Sequence, residues 1–512
     1  MKNVDTGAER TAVADAQGRY TIQQVTPGIY SVTGKAPGFA DVVIARVEML
    51  VNQPATVELK FEKVGSTATS VVVEAASAQI NTTDASLGNA INTEVITNLP
   101  SYARNVVSLL AFQPGVTSYS SGGTVGSNDG AVNGGKPDQG NVTLDGADVN
   151  DQNARTAFTS VLRVTLDSVE EFRTTTTNGD AATGRGSGAD VQLVTKSGTN
   201  TFHGSLYEYR RGTEMASNTF FNNQNGIPIA PLLVNVFGGS AGGAVKKNKL
   251  FFFINYEGRR DASANSVNRT VPSQNLRNGI VGYLNPSGQT VLIPQSLTAS
   301  IDPAGIGASA AALKQMSTMP LPNNNLLGDA INSGGYSFNA PGYNVQNTYI
   351  SKFDYTPDQR NHLYIRGNLQ NDWADNGSGN VPQFPGLPPN SVSLANSKGL
   401  AAGWTDVLTP NLVSTLHYGF TRAGNQTTGV LTSPYEWFRG LDNPYGTSTG
   451  LTRIIPVHVI GEDMSWNHGA HDIRFGASFR YINNESLSYA NSYSSASSNP
   501  SWINGSNSRC YR

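Results

Sequence analysis

Leu400-Ala401-Ala402-Gly403-Trp404-Thr405-Asp406-Val407-Leu408, then Thr409-Pro410-Asn411, then Leu412-Val413-Ser414-Thr415-Leu416-His417-Tyr418-Gly419-Phe420 is the stretch that decides how the chain is read. Successive side chains of a strand point to opposite faces. Leu412, Leu416, Tyr418 and Phe420 therefore share one face, and Thr415, His417 and Thr421 share the other. The Thr-Pro-Asn connection carries turn residues and is too short for anything but a hairpin. The same texture fills the chain from Thr201 onward in segments of about ten residues, the dyad pattern of membrane β-barrel strands. Ile473, Phe475, Ala477, Phe479 and Tyr481 oppose Arg474, Ser478 and Arg480. Tyr349, Phe353 and Tyr355 oppose Lys352 and Asp354, and Leu363, Ile365 and Leu369 oppose His362, Arg366 and Asn368.

A soluble sandwich gives the same alternation when its apolar face packs on a partner sheet. Connection lengths separate the two. Short connections sit around Lys246-Lys247-Asn248, Pro357-Asp358-Gln359-Arg360 and Thr409-Pro410-Asn411. Between them lie long polar stretches at 213–234, 261–346, 371–398 and 423–451. Compact soluble domains rarely hold several structureless loops of that length. Outer-membrane barrels have short turns on one side and long loops on the other.

Composition agrees. Charged residues make up 14% of the 512, and there are 54 Gly, 20 Tyr, 19 Phe and 5 Trp. Mean hydropathy is only -0.30, so neutral polar residues have replaced the charge. Few charges together with many aromatics fit strands with neutral polar faces, not a disordered chain. A net charge of -2 supplies no footprint for a nucleic-acid backbone. The single Cys510 excludes an internal disulfide and a Cys-based zinc site. No apolar run of 18 residues is present, so no transmembrane helix is expected. The first 14 residues lack the basic and apolar regions of an export signal.

Four regions are expected. Residues 1–63 form a β-sandwich, with short strands at 18–22, 27–32 and 57–61. Residues 64–86 form a small-residue linker. Residues 87–198 form an α/β unit, with a short helix at 101–110 that turns Val106, Val107, Leu109 and Leu110 inward. Its strands are Asn141 to Leu144, ending in the turn Asp145-Gly146, then Val169 to Arg173 and Asp190 to Lys196. Residues 199–512 carry the membrane strands. The fold class is mainly β: sandwich, α/β unit and a partial transmembrane antiparallel β-barrel.

No catalytic, cofactor-binding or metal-ligating residue is expected. Gly238-Gly239-Ser240-Ala241-Gly242 spells a nucleophile elbow, but that motif needs a helix after it and here another strand follows. Gly184, Gly186 and Gly188 also precede a strand, not the helix of a phosphate loop. His468 and His471 lack a neighbouring third ligand, and His471 reads as opening a strand. Asp145, Asp148, Asn150 and Asp151 lack the EF-hand spacing and read as a solvated turn.

Three sets of residues carry a resemblance. Val142-Thr143-Leu144-Asp145-Gly146 resembles the Asp-Gly strand of the plug of TonB-dependent outer-membrane transporters, in their Oar-like branch. Ser168 to Phe172 through Gly184 to Gly198 resembles the plug's closing segment. Phe202 to Tyr207, and Gly239 to Gly243 through Lys249 to Phe253, resemble the first barrel strands. The Asp15-x-x-Gly18-x-Tyr20, Pro27-Gly28-x-Tyr30 and Gly38-Phe39 pattern resembles the carboxypeptidase regulatory-like domain, an accessory sandwich without peptidase ligands.

The resemblance implies an outer-membrane receptor that takes up an unidentified external substrate through a plugged barrel and performs no chemistry. Its partners would be the TonB energy-coupling complex and outer-membrane lipid, and carbohydrate binding is among its implied properties. It also places a TonB box just before the plug, where Val71, Val72, Val73 and Glu74 stand. Such a box adds a strand to its partner's sheet; the same residues can equally form an ordinary linker strand. A secreted β-rich adhesion protein is the alternative. About nine strands, against the 22 of plugged transporters, and an end at Ser508 to Arg512 within an external loop imply truncation at both ends.

Overall fold

A polar-apolar alternation leaves a strand with one face for water or protein and one for hydrocarbon. The fold follows from nine such strands hydrogen-bonded side by side. The computed structural model describes residues 1–51, 53–61, 71–73, 87–98, 104, 106–120, 128–153, 159–179, 188–302, 305, 307–377, 379–429, 438, 440–444, 450–469 and 471–488.

The wall runs His203–Gly212, Leu233–Lys246, Leu250–Pro272, Ser333–Tyr355, Asn361–Ala374, a sixth strand in two pieces (Ser391–Ala395 and Lys398–Thr409), Leu412–Gly429, Leu451–His468, and a ninth in two pieces (His471–Ile482 and Glu485–Ser488). Every neighbouring pair is antiparallel. Both pieces of the sixth strand pair with the fifth and the seventh, and both pieces of the ninth pair with the eighth. Among the described residues the first and ninth strands are bonded on one side only, so the wall is open.

The two faces separate as the alternation requires. Phe353, Ile365, Leu369, Trp404, Leu416, Phe475 and Phe479 are exposed on the outer face, while Lys352, Arg366, Asn368 and Thr421 are buried on the inner. Tyr256 and Tyr349 stack outward across the third and fourth strands, ring centroids 5.0 Å apart.

The long connections are not structureless, contrary to expectation. The third and fourth strands each have 23 residues, about twice the span a tilted strand needs to cross hydrocarbon. They project beyond it as a hairpin, and short helices such as Gln295–Ile301 and Ala310–Ser317 fill the connection between them. Val271, Met319 and Phe384 form a small apolar core that ties the long connections together. Backbone polar groups of so long a segment need partners, and strand continuation supplies them.

The α/β unit is a five-stranded sheet in the order Leu87–Asn92, Val169–Thr177, Asp190–Thr195, Asn141–Leu144, Ala147–Asp148. The expected helix appears as a 3-10 segment, Val106–Phe112, with Val106, Val107, Leu109 and Leu110 buried; residues 101–103 and 105 lie outside the described ones. The core also takes in Phe172, Leu162 and Leu193.

At the amino terminus, Lys2–Asn3, Gly28–Gly34, Val42–Met49 and Val71–Val73 form one sheet. Residues 18–22 and 57–61 were expected as strands but form no ladder. Residues 57–61 instead cover the sheet as extended chain, Val57 and Leu59 packing on Val32, Ile44 and Val47. Tyr20 ties the two stretches together by donating its hydroxyl to the Val57 carbonyl (2.7 Å).

Candidate functional site: the seam between plug-like unit and wall

Asn141–Leu144 and Ala147–Asp148 are joined by a two-residue turn, Leu144 facing Ala147. Such a turn needs positive φ at both positions; Asp145 has φ 47° and Gly146 φ 77°. This explains the Asp-Gly spelling, and it drives the Asp145 carboxylate toward the inner face of the wall. There Arg366 Nε lies 3.2 Å from one oxygen and Lys352 Nζ 3.5 Å from the other. Thr195 donates to the same carboxylate through its amide (2.9 Å) and its hydroxyl (2.6 Å). Lys352 also donates to the Thr195 carbonyl (2.8 Å), Arg366 to the Leu144 carbonyl (2.9 Å) and Tyr364 to the Asp145 carbonyl (2.8 Å). Burial raises the carboxyl's pKa; the Lys352 and Arg366 charges and the Thr195 bonds outweigh it, so Asp145 stays below the usual carboxylate range.

The seam is charged in both directions. Asp148 of the α/β unit meets Arg480 of the ninth strand at 3.1 Å. Arg163 meets Asp372 of the fifth strand at 2.5 Å and donates to Thr348 at 3.1 Å. Arg104 lies between Glu257 (3.3 Å) and Asp167 (3.4 Å), over the Tyr209 ring at 4.3 Å. Buried pairs hold two bodies in register but need complete pairing, since a lone buried charge is costly. The expected solvated turn at 145–151 is thereby corrected. Asp145 and Asp148 are buried ion-pair partners, and Asn150 is buried too, bridging Val142 and Asp148.

Other expected sites fall as follows. Ser240 sits within the second strand, its hydroxyl 2.9 Å from that of Ser205. His468 and His471 face each other across the hairpin joining the last two wall strands. Among the described residues no group of three metal-ligating side chains converges. Val71–Val73 is a short strand paired in parallel with Val42, Val43 and Ile44. Glu74 and Gly184 to Gly186 lie outside the described residues.

The comparisons with known proteins bear on this arrangement. The outer membrane beta barrel domain family matches residues 194–509. The chain belongs to that family. Residues 1–62 match the carboxypeptidase regulatory-like domain. The TonB-dependent transporter Oar of Myxococcus xanthus is 26% identical over 267 residues, 48% of this chain and 24% of that protein. The outer membrane transporter YddB of Escherichia coli superposes with a TM-score of 0.50 at 14% identity, covering 78% of this chain and 48% of that one. The chain thus spans less than half the length of either. As an outer membrane beta barrel protein it resides in the outer membrane, its apolar wall face toward lipid.

The α/β unit also meets the amino-terminal domain. The Glu171 carboxylate accepts the Val51 amide with both oxygens (3.0 and 2.9 Å), and Arg173 donates to Gln53 at 3.0 Å. Burial pushes the Glu171 carboxyl up to about 7, against the Val51 bond and Arg173, which favour its charge, while Glu48 and Glu170 add repulsion. Because its docked pKa is raised, the docked form binds the proton more tightly than the undocked form. The stabilisation is full below the ordinary value of 4.5 and is lost as pH rises through about 7. Docking of the two domains should weaken between these limits, and Glu171→Gln should flatten the profile. Hydrogen exchange at the Val51 amide as a function of pH reads this; an unchanged slope in the Glu171→Gln protein would refute it.

Proposed function

We propose that the protein is an energy-coupled outer-membrane transporter. Its wall forms the channel, its plug closes it, and a TonB-type inner-membrane complex draws on the chain ahead of the plug. The observation that carries this reading is the seam centred on Asp145. A separately folded unit is held on the inner face of a membrane wall mainly by reciprocal buried charges, with Val161 packed on a small apolar cluster of the wall (Ala423, Ile455, Val457 and Val459), an arrangement that fixes register yet allows release. The Oar and YddB likenesses support it. The substrate is drawn from outside, where the long connections stand, and the chain performs no chemistry on it.

Each unpaired backbone group in hydrocarbon costs several kcal/mol. The free edges of the first and ninth strands are therefore where further strands complete a closed wall. Val71 to Glu74 is the segment we assign to the coupling partner, which would extend the sheet by strand addition. Deleting Val71 to Glu74 from the complete protein should abolish energised uptake while surface binding of the same solutes stays at the native level. Comparing depletion of solutes from the medium by cells carrying the native or deleted gene measures both; undiminished uptake would remove the assignment.

A further inference from the structure

We propose that the amino-terminal carboxypeptidase regulatory-like domain is a second gate, in series with the plug, across the short-connection end of the channel. This rests on the transporter reading above. The domain reaches the wall at both of its extremes. Near the first strands, the Asn200 amide donates to the Asp5 carbonyl at 3.0 Å, and Gly7 lies so close to Asn248 that a β-carbon there would sit 2.6 Å from its side-chain oxygen. In the middle, Arg10 and Tyr30 line a small cleft with Asp358 and His362. At the far side, Gln23 donates to Asp472 (2.8 Å), Gln24 to Ser465 (3.3 Å) and Asn467 to Thr21 (3.4 Å), while the Thr415 hydroxyl donates to the Gln24 side-chain oxygen Oε1. From beneath, Val51 and Gln53 hold the plug through Glu171 and Arg173. The domain thus spans the short-connection end from the first wall strands to the ninth, in contact with the plug.

The chemistry of this contact differs from that of the plug seam. Its far side is built mainly of amides and hydroxyls, which water replaces at little cost. The domain's own apolar core, around Val32, Ile44 and Val47, does not extend into the wall. Val71–Val73, the assigned coupling segment, is the edge strand of this same domain. Tension on it reaches the amino-terminal sheet through the parallel ladder with Val42 to Ile44 before it reaches the plug. The gate therefore leaves first and the plug second.

Ser465 is a suitable reporter, since it is 5% exposed and lies beneath Gln24. The complete protein carrying Cys510→Ser and Ser465→Cys, and a second version with Gln24→Cys instead, would be labelled in growing cells with a small maleimide that enters the periplasm. Labelling is expected to be at least tenfold faster in energised cells than after collapse of the proton gradient, and deletion of Val71 to Glu74 should abolish the difference. Equal slow labelling in both states would make the domain a fixed platform and overturn the proposal. Equal fast labelling would mean that it is not docked and would overturn it too. Fractionation of the same cells separates this from failure of the transporter reading: protein absent from the outer membrane would defeat both.

Discussion

Asp145→Ala is expected to loosen the plug from the wall by about 3–5 kcal/mol, the cost of leaving a buried charge without its partner. The substitution strands Arg366, whose side chain is fully buried, leaves Lys352 with Asp354 as its remaining counter-charge, and takes an acceptor from both donors of Thr195. The Asp145→Ala, Arg366→Met protein should recover much of the loss, because an apolar replacement of a buried pair is often neutral. The check is the urea midpoint for hydrogen exchange of Asp190–Thr195, the strand beside the turn, in the complete purified protein. A single-variant free energy, taken from that midpoint and its slope, within about 0.5 kcal/mol of the native one, the range of ordinary surface substitutions, would contradict the role given to this seam.

Gly198→Ala should be comparably damaging for a steric reason. A β-carbon there would lie 2.3 Å from the Phe252 carbonyl oxygen and 2.5 Å from that of Gly243. Both belong to facing positions of the second and third wall strands, so neither can retreat without breaking the ladder. Overpacking of this kind costs about 3 kcal/mol at the upper end of its usual range. Gly367→Ala is the matched control, since its added carbon would meet only the Ser351 hydroxyl at 3.4 Å. Folded yield, judged by gel mobility without heating, should fall for Gly198→Ala and stay native for Gly367→Ala. Equal yields would show that the crossing from plug to wall tolerates a side chain.

The wall was largely legible in the sequence because its physics is local. The Leu400 to Phe420 hairpin announces both strands and their turn, and on the face read at Leu363, Ile365 and Leu369 the last two are exposed and Leu363 is half-buried. Strand length was not legible. Beyond the hydrocarbon, the third and fourth strands continue through polar residues that carry no alternation to read, as at Ser263 to Asn268. The amino-terminal strands at 18–22 and 57–61 failed for the opposite reason: alternation marks extended chain, but pairing needs a partner edge.

The seam was half visible. Asp145-Gly146 was recognised as a turn, and Lys352 and Arg366 as the polar face of their strands. Their meeting across more than 200 residues leaves no periodicity, and so Asp145 and Asp148 were read as solvated. The one available signal was charge itself, since Lys352 and Asp354 at successive inward positions of the fourth strand, and Arg366 facing Lys352 on the fifth, require buried partners. The docking of the amino-terminal domain through Gln23, Gln24 and Thr21 left none, because neutral amides and hydroxyls are ordinary surface residues.

The central claim is that the wall faces lipid on one side and the plug on the other. Single cysteines at each position of Asn361–Ala374, labelled with a fluorophore in the complete protein in lipid vesicles, test it most directly through quenching by a lipid-borne quencher. Leu363, Ile365 and Leu369 should be strongly quenched and His362, Arg366 and Asn368 protected, with a period of two. Uniform quenching by a water-soluble quencher along both sets, with none from lipid, would contradict the account.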